Sequence, residues 1–190
     1  EELVRTTLHT PEGSLFQEAA ADDPAVIHRY YVSRPERYGL LLAFLKDIVV
    51  TEDPHSLPRA QEQVADQGLV WALAPSAPAD EMAARWRGAE ALAAELPAPP
   101  DKLKPCLRQM RRNFEAQLPF LADRARGLAG VWLAWGRLTG PLVPEDFLRH
   151  SQPLYRQLYD AAGRAPIMVP VRGGRALAAF REQPASVSIR

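Results

Sequence analysis

The alternation of short apolar runs with amphipathic stretches after residue 68 constrains this chain more than any other feature of its sequence. Short apolar runs bounded by Gly or Pro are typical of buried strands, and the longer stretches between them place apolar residues at helical spacing. Apolar strands that alternate with helices predict a parallel sheet covered by helices. We therefore predict the order β-α-α-β-α-β-α-β for residues 68–190.

The predicted strands are short, and they cover residues 69–73, 130–135, 166–171 and 185–189. The predicted helices lie between them, at residues 79–96 with Gly88 as a weak point, at 101–126, and after residues 144 and 173. This order of elements occurs both in a (β/α)8 barrel and in a doubly wound sheet, and the sequence does not distinguish the two folds. Because a full barrel takes about 250 residues, the α/β chain of 190 residues predicts a partial or truncated TIM-barrel-like unit.

The first 20 residues predict a β-hairpin that precedes the parallel units. Residues 4–9 are β-rich, residues 10–13 (TPEG) are a turn signal, and residues 14–16 continue as a second strand. No linker composition separates this segment from the rest. We therefore expect a single domain over residues 1–190, with the N-terminal hairpin and a helix in 1–55 and the parallel β/α units in 68–190.

Charge and cysteine content exclude several classes of protein. The chain has 23 Lys and Arg against 23 Asp and Glu, a formal net charge of zero, which argues against a nucleic-acid partner and a polybasic membrane-surface protein. The longest apolar runs, such as residues 40–45, are far shorter than the roughly 20 residues of a membrane span. Cys106 is the one cysteine, so no intramolecular disulfide can form, and a cytoplasmic location is expected.

The candidate ligand-binding residues follow two of the predicted strands. Arg172, Gly173 and Gly174 lie where a strand gives way to a helix, which in a barrel is the functional face. Backbone N–H groups at the start of a helix favour an anion, and an arginine can bind the anion through two parallel hydrogen bonds. The alternative interpretation is that the two glycines form a tight turn and that Arg172 is a solvated loop residue. Trp135 and Arg137 follow another strand, where Trp135 could stack on a flat ligand and Arg137 could pair with an acid, or where Trp135 could simply pack on the next loop. The four histidines show no metal-binding spacing.

Several short segments, in this order along the chain, resemble the uroporphyrinogen decarboxylase superfamily. That superfamily includes the decarboxylase itself and the corrinoid-dependent methyltransferases. The segments with the resemblance are residues 10–15 (TPEGSL), 74–75 (AP), 100–101 (PD), 127–133 (GLAGVWL), 142–147 (LVPEDF), 152–155 (QPLY) and 167–173 (IMVPVRG). The resemblance implies a TIM barrel, of which this chain would be the middle portion.

The resemblance also implies a chemistry, with notable departures. It implies decarboxylation or methyl transfer on a tetrapyrrole, a corrinoid or a small methylated substrate, with a corrinoid as the cofactor. The zinc-dependent members place a His and a Cys where this chain has Pro170 and Arg172, neither of which is a normal zinc ligand, so we expect no zinc. The substrate-binding Tyr of the decarboxylase branch has no counterpart in residues 82–85.

Three interpretations of the chain therefore compete. The first is a uroporphyrinogen-decarboxylase-like enzyme that acts as a lyase or a methyltransferase. The second is a non-catalytic binding or partner subunit that kept the scaffold and lost the zinc site. The third is an unrelated half-barrel or doubly wound domain. Because a partial barrel would leave an open sheet edge, we also expect association with a second copy or with a partner subunit.

Overall fold

The computed structural model describes residues 2–125, 130–133, 149–163 and 167–168. They form a mixed α/β chain with two three-stranded sheets. The first sheet is antiparallel and contains β1 (Leu3–Thr10), β2 (Gly13–Ala20) and β3 (Ile27–Arg29). The second is parallel and contains β4 (Trp71–Ala74), β5 (Gly130–Leu133) and β6 (Ile167–Met168).

Seven α-helices are described in this part of the chain. They are α1 (Tyr38–Asp47), α2 (Ser56–Val64), α3 (Pro78–Glu81), α4 (Ala89–Glu95), α5 (Leu103–Glu115), α6 (Leu118–Ala125) and α7 (Gln152–Ala162). A 3₁₀ turn at Pro35–Arg37 leads into α1, and a π-helical turn at Met82–Trp86 follows α3. No described helix is both long and apolar enough to cross a membrane.

The predicted N-terminal hairpin is confirmed. β1 and β2 pair from Leu3↔Ala20 to Thr10↔Gly13, and the Thr10 hydroxyl donates to the Gly13 carbonyl at 2.8 Å across the turn. The sequence analysis did not predict β3, which is only three residues long and pairs with β2 through a bulge at Glu18/Ala19. A strand this short has no alternation to recognise.

The parallel sheet has its strands in chain order, β4-β5-β6, with helices between them. This agrees with the predicted alternation at its first three strands, and the predicted fourth strand at 185–189 lies outside the described residues. The prediction of a fully buried strand at 69–73 is wrong, because Leu69 and Leu73 are 71% and 70% exposed. The strand begins later, at Trp71, and lies at one edge of the described sheet.

Two breaks divide the long predicted helices. Gly88 has φ +88°, a backbone conformation that favours glycine, and it separates the π-helical turn from α4. The helix predicted at 101–126 is in fact two helices, because α5 ends at Glu115 and α6 begins at Leu118, with Pro119 in its first turn, where its missing N–H is harmless.

Two apolar clusters hold these elements together. One joins the hairpin, α1, the π-helical turn and α5 around the fully buried Trp86, whose ring packs against Tyr31 and Phe44 at centroid distances of 5.3 and 5.5 Å. The other joins the end of β4 with α5, α6 and α7, through Phe114, Leu154, Leu158 and others. The second cluster fixes α7 against the carboxyl end of β4, where the candidate site lies.

Candidate functional site

The carboxyl ends of the three parallel strands lie along one edge of the sheet, since β4, β5 and β6 run in the same direction and in register. Open parallel sheets bind their ligands at this edge. β4 ends at Ala74, and α3 begins only four residues later, at Pro78. The short connection brings the first turn of α3 directly above the strand end.

A buried carboxyl group lies in this first turn. Asp80 is 1% exposed, and its two oxygens accept hydrogen bonds from α7 and the residue that precedes it: Ser151 Oγ donates to Oδ1 at 2.8 Å and Tyr155 Oη donates to Oδ2 at 2.7 Å. Tyr155 Oη also accepts the backbone N–H of Ala77 at 3.2 Å. The cluster therefore ties the β4–α3 connection to the helix that lies between β5 and β6.

Burial changes the protonation of this carboxyl group. It raises the pKa of Asp80 to about 7, although the hydrogen bonds from Tyr155 and Ser151 act in the opposite direction. Burial also raises the pKa of Glu81, the next residue. Asp80 can therefore hold or release a proton near neutral pH. Its low exposure makes it a positioning group for the strand-end edge, since a ligand cannot reach it directly.

A cavity of about 630 Å³ runs beside β4, from Val70 to Pro75. Its walls come from β4, from the segment before α2 and α2 itself, and from the start of α6; they include Trp71, Leu73, Leu57 and Phe120. The volume lies within the range of roughly 300–1,000 Å³ that small-molecule sites occupy. The walls are mixed, because the acidic residues Glu52 and Asp53 line the cavity together with apolar side chains. The cavity reaches Pro75, just beyond the carboxyl end of the strand.

A second buried polar cluster ties the first half of the chain together. Glu95 in α4 accepts the Tyr38 hydroxyl at 2.6 Å and two guanidinium bonds from Arg87 at 3.1 and 2.7 Å. Arg87 also donates to the carbonyl of Val32 at 3.2 Å. These polar groups satisfy one another's hydrogen bonds, so we assign this cluster to stability.

Cys106 does not offer a metal ligand. It is buried in α5, its thiol donates to the Tyr38 carbonyl at 3.3 Å, and burial raises the pKa of that thiol to about 12. Across the described ranges, no group of three or more His, Cys, Asp or Glu side chains is placed to hold a metal ion.

The five residues predicted to bind a ligand, Arg172, Gly173, Gly174, Trp135 and Arg137, lie outside the described residues. In sequence they follow β5 and β6, whose ends share the edge above which Asp80 lies. Sequence analysis missed Asp80, Ser151 and Tyr155. The one local indication was the spacing of Ser151 and Tyr155, four residues apart and so on one face of a helix.

The comparisons with known proteins identify no relative. No protein family matches the chain, and neither a curated protein nor a solved structure shows significant similarity to it. The functional argument therefore rests on this chain alone.

Proposed function

We propose that the chain is a uroporphyrinogen-decarboxylase-like protein that binds its ligand at the carboxyl ends of β4, β5 and β6. The activity we propose is methyl transfer or decarboxylation on a corrinoid, a tetrapyrrole or a small methylated substrate. The observation that carries the proposal is the pair of features that follow β4: the buried Asp80 cluster in the first turn of α3, and a cavity of about 630 Å³ that extends to Pro75 just beyond the strand. The single cysteine favours a reducing compartment, so we place the protein in the cytoplasm.

The ligand classes differ in how well the described residues fit them. The cavity volume lies within the range that small-molecule sites occupy, so it suits a small methylated substrate. Zinc does not fit. Pro170 and Arg172 replace its expected ligands, and the buried Cys106 thiol keeps its proton, so we route no step through zinc.

We assign each of the following residues a role in ligand binding. Trp71 and Leu73 supply apolar wall for the ligand. Asp80 holds the β4–α3 connection against Tyr155 and Ser151, which keeps the strand-end edge rigid before a ligand arrives. Arg172 and Arg137 are the residues we propose for pairing with an acidic group of the substrate.

A second candidate is a non-catalytic binding or partner subunit on the same scaffold. The observation in its favour is the replacement of the expected His and Cys by Pro170 and Arg172. Such a protein would bind a member of the same ligand classes and leave it chemically unchanged.

Titration calorimetry tests the ligand site, with hydroxocobalamin, a carboxylated porphyrin and a methylated amine as separate probes. Leu73→Asp replaces an apolar wall residue by a charged one and should weaken binding by about tenfold, because a ligand packed on Leu73 would lose that apolar contact. Leu69→Asp is the matched control, since Leu69 is equally exposed, at 71% against 70%, and does not line the cavity.

Saturable binding that Leu73→Asp weakens and Leu69→Asp leaves unchanged would support the site. If mass spectrometry detects conversion of the bound probe, the protein is an enzyme. Binding without conversion would support the binding subunit. If none of the three probes binds, the proposal is wrong.

A further inference from the structure

The outer face of the N-terminal sheet brings three arginines to one aromatic ring. Phe16 lies in β2, the central strand, and the guanidinium carbons of Arg5, Arg29 and Arg37 lie 4.6, 4.0 and 5.8 Å from its ring centroid. Each guanidinium is within reach of a cation–π interaction. Because all three distances end at one centroid, any two of these guanidinium carbons are at most about 10 Å apart.

The strand register explains why these side chains meet. In the strand register, Arg5 in β1 and Arg29 in β3 both lie opposite Glu18 in β2. The two arginines therefore flank the central strand and share one face of the sheet. Arg37 comes from the 3₁₀ turn before α1, and its guanidinium donates to the Ser14 carbonyl at 3.4 Å.

The face holds less negative charge than positive charge. Glu18 pairs with Arg5 through two bonds, at 3.0 and 2.6 Å. Among the described residues, neither Arg29 nor Arg37 has a carboxylate partner. Three arginines and one glutamate leave this face with a net charge of +2, in a chain whose formal net charge is zero.

We propose that this face, comprising Arg5, Phe16, Glu18, Arg29 and Arg37, binds a phosphate group. A phosphate monoester carries a charge close to −2 at neutral pH, which matches the net charge of the face. Its oxygens accept paired N–H bonds from the planar guanidinium fork. Stacking on Phe16 holds the guanidiniums in place before the ligand arrives, which lowers the entropy lost on binding.

Stability alone does not explain why three arginines lie around the Phe16 ring. One guanidinium is enough for a cation–π contact with Phe16, and each further cation adds repulsion between like charges. A dianion between Arg29 and Arg37 converts that repulsion into attraction. The site belongs to the antiparallel sheet and not to the strand-end edge of the parallel sheet, so this proposal can be tested independently of the proposed function.

Titration calorimetry with inorganic phosphate at low ionic strength tests this site, and a peptide that carries one phosphoserine is the second probe. Arg29→Gln and Arg37→Gln should each weaken binding by about tenfold, since a hydrogen bond to a charged group is worth roughly that factor. Arg29→Lys keeps the charge but loses the fork, so we expect a smaller loss. Arg111→Gln is the matched control, because Arg111 is also exposed and pairs with Glu115 at 2.8 Å on α5.

Glu18→Gln gives a test of the opposite sign. It releases Arg5 from its carboxylate and raises the charge of the face, so phosphate should bind several-fold more tightly, a gain that misfolding cannot imitate. Binding of free phosphate would indicate a phosphorylated small molecule, and binding of the phosphopeptide alone would indicate a phosphorylated partner. Absence of saturable binding by both probes, or equal losses in Arg29→Gln and Arg111→Gln, would refute the proposal.

Discussion

At the residue scale, Asp80 should make the stability of the protein depend on pH. Burial raises its pKa from 3.8 to about 7, so between these values the folded state binds a proton that the unfolded state releases. Stability from this group is therefore fully present below about pH 4 and is lost as the pH rises towards 7, by up to about 4 kcal/mol. Asp80→Asn removes the ionisation, and its free energy of unfolding should lack this decline.

Urea unfolding at pH 5 and pH 8 measures the effect as a difference between the two proteins. Asp160→Asn is the control, because Asp160 lies on α7 near the same cluster but is exposed. We expect this variant to keep the pH dependence of the wild type. An Asp80→Asn protein with the wild-type decline would show that Asp80 does not titrate in this range.

The buried ion pair between Arg87 and Glu95 should be worth far more than the exposed pairs. Their side chains are 14% and 12% exposed, and Glu95→Gln would leave the Arg87 guanidinium without its counter-charge in a poorly solvated place. Removal of one partner of a buried pair costs roughly 3–5 kcal/mol. Thermal and urea unfolding should show a loss near the lower end of this range.

Glu115→Gln is the comparison for this pair, since Arg111 and Glu115 are 55% and 40% exposed. Exposed pairs at this helical spacing contribute about 0.3–0.5 kcal/mol. Equal losses in the two variants would mean that the Arg87–Glu95 pair is solvated after all.

At the element scale, the break between the π-helical turn and α4 should require glycine at residue 88. At φ +88° any side chain is strained, and a Cβ there would lie 2.8 Å from Cε2 of Tyr30. Backbone strain of this kind costs about 1–3 kcal/mol before the clash is added. Gly88→Ala should therefore lower the midpoint of thermal unfolding by several degrees, as measured by circular dichroism.

Gly39→Ala in α1 should have the opposite sign. Nothing lies within 4 Å of a Cβ at Gly39, and alanine stabilises a helix interior relative to glycine by up to about 1 kcal/mol. If Gly88→Ala were as well tolerated as Gly39→Ala, the backbone at residue 88 would not have the conformation described.

The elements also show what the sequence could predict. The turn at residues 10–13 follows from residues whose backbone preferences act locally, and it is confirmed. Gly88, predicted as a weak point within one helix, instead divides that helix in two. β3 and the Asp80 cluster were missed for the opposite reason. The hydrogen-bond partners of Asp80 lie 71 and 75 residues away in sequence, and no local pattern in an Ala-rich helix marks a polar side chain as buried.

At the scale of the whole molecule, the edge of β4 that has no partner among the described strands should determine the state of association. In that part of the chain β4 pairs only with β5, and the exposed side chains of Val49 and Leu73 lie beside it. An open edge with apolar side chains favours pairing with another chain. A second copy related by a two-fold axis would bring two β4 strands together antiparallel.

We therefore expect a homodimer of about twice 21.1 kDa by light scattering on a sizing column. Leu73→Asp places like charges on both sides of the two-fold axis and should yield the monomer. Leu3→Asp, at a 47% exposed apolar residue of the antiparallel sheet, should leave the dimer intact. A wild-type protein that stays monomeric at high micromolar concentration would mean that the edge of β4 is protected within one chain.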